Sequence, residues 1–170
     1  IGRMKEGQEH IFFLSGEHVD TLRASPQLEG FAKKGIEVLL LTDHVDDFWG
    51  SVVFDYKGRK FKSVTRADID LDKIAGDKKT DEKPEEKKED EVQVKELCGR
   101  IKTILGDKVK DVRTTGKLTS SAVCLAVEEG AMDFRLEQFL IEQKQLAEST
   151  AKMLEINPQH PISKALAAKP

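Results

Sequence analysis

Sixteen consecutive residues without one apolar side chain, 76–91, constrain this chain more than any other stretch. They hold eight carboxylates and five lysines around Gly76, Thr80 and Pro84. Such a segment has nothing to bury and cannot offset the entropy lost on ordering. No core can run through it. The sequence therefore predicts an exposed, flexible linker at 76–91 between two units, 1–75 and 92–170. Each unit is near the lower size limit for independent stability. The linker's excess of acids equals the formal net charge of −3. A net charge of −3 and a pI near 5.9 argue against nucleic-acid binding, since phosphate neutralisation needs a basic surface.

In the first unit, residues 11–14 (IFFL) read as a short strand and 18–23 as a short helix. Ser25-Pro26 restarts the chain as N-cap and first helical residue of a helix over 26–34, which Gly35 ends. The longest apolar run follows at 36–41, broken only by Glu37, and reads as the buried strand of this unit. After it the period changes. Val45, Phe48, Trp49, Val52 and Val53 fall on one helical face, with Thr42 or Asp43 as cap. A hairpin through Gly58 closes the unit as β–α–α–β–α–β–β. The second unit opens with a helix over 92–105, then strands at 109–118 and 122–127, a helix at 128–146 and a strand at 153–156. Asn157-Pro158-Gln159-His160-Pro161 starts a last helix, with Asn157 as its cap. The expected fold class is mixed α/β (α/β or α+β), two small layer domains.

Three acids at the carboxyl end of the 36–41 strand, Asp43, Asp46 and Asp47, are placed where α/β enzymes hold Mg²⁺, so a Mg-dependent phosphohydrolase is one reading. Helix capping is the simpler one, because no Gly-rich phosphate loop precedes a helix and no second acidic cluster follows another strand. The four histidines lack metal-ligand spacing. Cys98 and Cys124 are too few for a disulfide framework and read as small core residues in a reducing compartment. No apolar run approaches the ~20 residues of a membrane span. The chain opens on Ile1-Gly2-Arg3 and reads as an excised piece of a longer protein. The stretch 131–146 has apolar residues on both sides: Met132, Leu136, Phe139, Leu140 and Leu146 on one stripe, Phe134 and Ile141 opposite. Such a helix is either buried all round or opens one face to another polypeptide. A plain protein–protein assembly module fits that pattern as well.

Four motifs occur in order: Arg3-Met4-Lys5-Glu6-Gly7-Gln8, Lys34-Gly35-Ile36-Glu37-Val38-Leu39-Leu40-Leu41, Val109-Lys110-Asp111-Val112-Arg113 and Asn157-Pro158-Gln159-His160-Pro161. With that spacing the chain resembles the heat shock protein 90 chaperones, above all their bacterial members, nearly end to end. The resemblance implies that 1–75 is the last, small α/β/α part of a middle domain and 92–170 most of a carboxyl-terminal domain. It implies an ATP-driven homodimeric chaperone that remodels partly folded clients. The family's nucleotide site, with its ATP and Mg²⁺, lies in an amino-terminal domain, and the arginine reaching the ATP phosphate lies upstream. This piece is therefore expected to hold no cofactor and to hydrolyse no ATP. The helices of the family's dimer bundle follow the Asn-Pro-x-His-Pro helix, so the piece is expected to be monomeric or weakly associated.

The family's client-contacting surface, carried over by position, falls on Asp47 and Phe48, with Trp49 beside them, and on Met132 and Leu136. Phe48 stands where Trp is usual, and Leu136 where a second Met is usual; both changes keep apolar character. The expected partners are unfolded or partly folded proteins, without nucleic acid or membrane, in the cytoplasm. Exposure of Phe48, Trp49, Met132 and Leu136 is the structural requirement of that expectation.

Overall fold

The computed structural model describes residues 1–46, 48, 52–74 and 84–169, with side chains from 93 onward in the last stretch. Two sheets organise it. In the first, β1 (His10–Ser15) lies between β2 (Val38–Leu41) and β4 (Arg59–Ser63), parallel to both, and β3 (Asp55–Tyr56) pairs with β4 as a hairpin. Strand alternation sends Phe12 and Leu14 to one face. There they are buried with Phe31, Ile36 and Val64, and the Phe12 and Phe31 rings meet edge-on at 4.9 Å. That face is covered by α1 (Val19–Arg23), a 3-10 turn over Pro26–Leu28 and α2 (Glu29–Lys33). Ser25 accepts the Gln27 N–H, as the Ser-Pro signal requires, and Gly35 leaves α2 at φ +61°. The hairpin turns through Lys57 and Gly58, both at positive φ, the geometry that matches strand twist.

One expectation for this half fails. The apolar run at 36–41 forms β2 at the sheet edge, where Leu39 is exposed. An apolar run signals burial, but pairing sets position, and β1 rather than β2 has a neighbour on each side. The stripe after β2 is open at Val45, Phe48 and Val52. Asp46, Phe48 and Val52 have helical backbone, yet Val45 and Val52 are 69% and 72% exposed. The first core closes on the other face of the sheet, around Leu22 and Phe31, and leaves these side chains in solvent.

In the second sheet, β7 (Lys152–Ile156) lies between β5 (Val109–Thr114), parallel, and β6 (Val123–Ala126), antiparallel. The long α3 (Pro84–Leu105) and the short α5 (Pro161–Ala167) pack with one face of it around Val94, Cys98, Val109, Val112 and Ile156. Since α3 starts at Pro84, residues 84–91 have helical backbone; 75–83 lie outside the described residues. Glu and Lys are straight-chain helix formers, and Pro suits the first position of a helix. Their composition excluded burial, not helix.

Two further corrections concern helix ends. Instead of running over 128–146, α4 is Phe134–Glu142: Gly130 turns the chain at φ +79°, Asp133 caps the helix, and Lys144 at φ +57° follows its end. The cap of α5 is His160, whose Nδ1 accepts the Ile162 N–H at 3.2 Å, not Asn157. Asn157 instead ties loops together, donating from Nδ2 to the Ser121 carbonyl at 3.1 Å and accepting the Gln159 N–H at 3.0 Å. Among the described residues no helix is long and apolar enough to cross a membrane.

The two halves meet along a polar seam. Val127 donates to the Thr65 carbonyl and accepts from Ala67 N–H at 2.9 and 2.8 Å, forming one parallel bridge. The Glu29 carboxylate accepts the N–H groups of Thr119, Ser120 and Ser121 at 2.6, 2.8 and 3.2 Å, and both serine hydroxyls. Burial pushes this carboxyl up, but the hydrogen bonds outweigh it and hold the group at about 2. Glu155, fully buried on β7, pairs with Arg113 and Lys117 at 2.7 Å each. Those two cations also donate to the Ala67 and Arg66 carbonyls of the first half. Both cysteines are free; burial and the adjacent Glu155 push the Cys124 thiol up to about 12.

Candidate functional site

The face of the first sheet opposite its core carries Phe13, Ser15 and Phe61, and here a cleft of about 480 Å³ opens between the halves. Its other wall is the turn before α4 and that helix's first residues, among them Met132 and Leu136. The first half itself builds this wall. Arg66 Nη1 donates to the Glu128 and Ala131 carbonyls at 2.8 and 2.6 Å, which fixes the turn that presents Met132. The cap residue Asp133 receives the Arg135 N–H on one oxygen and the Thr65 hydroxyl, at 2.8 Å, on the other. The start of α4 is thus held from both sides of the seam.

Of the residues predicted from sequence, three are brought to one region. Met132 is 37% exposed and Leu136 half-buried, both lining the cleft. Phe48, 38% exposed, crosses to the second half and meets Phe139 edge-on, ring centroids 4.7 Å apart. Phe139 lies one turn after Leu136. Asp47 and Trp49 lie outside the described residues. The capping reading gains a hydrogen bond: the Asp46 carboxylate accepts the Asp43 N–H at 3.0 Å, the reach-back half of a capping box. Among the described residues, no three His, Cys, Asp or Glu side chains converge as a metal ion would need.

Two ion pairs lie at the cleft. Lys62 pairs with Asp68, and Arg135 with Glu17 at 3.2 Å. Burial, with Lys62 nearby, pushes the pKa of the His10 imidazole down. Among these charges Phe13, Phe61, Met132 and Leu136 supply apolar contact area, which suits recognition by burial. Sequence reading missed Arg66, Thr65 and Asp133, which build the wall. Asp133 alone carried a signal, an Asp directly before an apolar periodic run.

A sequence profile described as Hsp90 protein matches residues 1–170. Chaperone protein HtpG of Wolbachia pipientis wMel is 54% identical over 167 residues, 98% of this chain. Chaperone protein HtpG of Ehrlichia canis (strain Jake) and that of Rickettsia bellii (strain OSU 85-389) are each 52% identical over 95% of this chain. The chain spans 26% of the length of each of these curated relatives.

Proposed function

The chain belongs to the Hsp90 protein family, and from that premise we propose that it is the client-contacting part of an ATP-dependent molecular chaperone. In this reading 1–75 ends a middle domain and 92–170 forms most of a carboxyl-terminal domain. The parent protein acts as a cytoplasmic homodimer whose ATP site lies elsewhere in its sequence. Unfolded or partly folded proteins bind at the cleft, against Met132, Leu136 and the Phe48 rim, with Asp47 and Trp49 assigned to the same rim by position. One observation supports this most: Phe48 reaches across the seam to the helix of Leu136, so residues about 90 positions apart share one apolar rim. A chaperone needs contact of this kind, because its clients share exposed apolar surface and little else.

The test is Met132→Ser combined with Leu136→Ser. Neither side chain belongs to a buried core, so the fold survives by circular dichroism. Affinity for several unrelated reduced, carboxymethylated proteins, read by fluorescence anisotropy, drops about tenfold, the equivalent of roughly 1.4 kcal/mol of lost apolar contact. Unchanged affinity in a folded double variant sinks the assignment.

A further inference from the structure

Helix α4 has apolar residues all round, yet its one fully buried side chain is a carboxylate, Glu137, 2% exposed. That carboxylate accepts the Ser149 hydroxyl at 3.0 Å, the Thr150 N–H at 2.7 Å and the Thr150 hydroxyl at 2.6 Å, and pairs with Lys152. Lys152, itself buried at the start of β7, also donates to the Thr150 hydroxyl at 2.8 Å and lies 5.3 Å from the Phe134 ring centre. Burial opposes the charge on Glu137, but these partners hold its carboxyl at about 2.

Apolar attraction alone does not choose a rotation for such a helix, because it is non-directional. At roughly 100° per residue, Phe134 and Ile141 fall within about 60° of Glu137, whereas Leu136 and Phe139 fall about 100° and 160° away. Seating Glu137 on β7 therefore turns Phe134 and Ile141 toward the sheet side and Leu136 and Phe139 outward. We propose that Glu137, through its buried pair with Lys152, is the positioning residue that sets the rotation of α4 and so aims Leu136 into the cleft, beside Met132 in the turn that precedes the helix. The inference rests on the reading of that cleft as the client site. Glu137 touches no client in it.

The experiment uses the 170-residue chain with Glu137→Gln and, as a milder change, Thr150→Val, which removes one hydroxyl partner and keeps the ion pair. The probe is reduced, carboxymethylated α-lactalbumin, followed by anisotropy. A second readout is the rate of Met132 oxidation by dilute peroxide, with Met4 as internal reference. For Glu137→Gln, binding weakens about fivefold. Its Met132 oxidation rate changes about twofold relative to Met4, since oxidation follows exposure. Thr150→Val moves both readouts the same way by less, and decides the matter if Glu137→Gln does not fold. Wild-type binding together with an unchanged Met132 rate overturns the inference. If the double serine variant still loses binding in that case, the client-site reading stands without it; if that variant also binds normally, both fall.

Discussion

Replacing Glu155 with alanine is expected to lower the stability of the chain by about 3–5 kcal/mol, the usual effect of removing one member of a buried ion pair. Glu155 is fully buried and receives Arg113 and Lys117 together, Lys117 itself being 6% exposed. Without the carboxylate, Lys117 faces an interior without its counter-charge. It keeps only its hydrogen bond to the Arg66 carbonyl, 3.0 Å away. Converted at roughly 2–4 °C per kcal/mol for a chain of this size, the change lowers the melting temperature by about 10 °C. A double-mutant cycle separates charge from packing. Adding Lys117→Met to Glu155→Met removes the orphaned cation and recovers much of the loss, with a coupling of about 1–3 kcal/mol. Additive effects in urea unfolding would show that the pair does not act as a unit.

Gly30→Ala is expected to destabilise as well, by about 2 kcal/mol net, although alanine is the better helix former by about 1 kcal/mol. A Cβ at Gly30 would lie 2.5 Å from the Lys117 carbonyl oxygen and 2.6 Å from a Leu71 methyl group. The leucine can move, but the backbone oxygen moves only with its loop. Overpacking of this kind costs about 1–3 kcal/mol, the upper end applying where no rotamer offers escape. The displaced loop is the one that Glu29 clasps, so the neighbouring hydrogen bonds weaken too. Gly99 on α3 is the control: a Cβ there meets nothing within 4 Å, and Gly99→Ala raises stability by up to about 1 kcal/mol. Thermal melts of the two variants should therefore shift in opposite directions.

Helix propensity alone would give those two glycines the same sign, and the contrast marks what the chain discloses before it folds. Local rules held where one residue carries the physics. Ser25-Pro26 opened a helical turn, Gly35 and Gly58 took positive φ, and Phe12 and Leu14 alternated into the core. Position within a sheet did not follow from apolar content, because β2 owes its edge place to pairing. The lysines and glutamates after Pro84 have nothing apolar to bury and were silent on helix, since a charged composition is compatible with either state. The seam was invisible. Glu29, Arg66 and Glu155 look like ordinary charged residues in sequence, and only the fold brings each to partners tens of residues away. The residues proposed to contact clients came from family resemblance, whereas Glu137, proposed as the anchor of the Leu136 helix, looked like a polar position on an amphipathic stretch.

In the proposed function, unfolded polypeptide meets this chain at Met132. The chain has three methionines, Met4, Met132 and Met153, so ¹³C-methyl-methionine labelling gives one signal for each place of interest. Met4 sits in the charged lead-in, and Met153 is half-buried on β7. Titration with an unfolded, carboxymethylated protein should shift or broaden the Met132 methyl resonance saturably while Met4 and Met153 stay in place. A Met132 signal that remains fixed while binding saturates, or while Met4 or Met153 moves instead, would contradict the account.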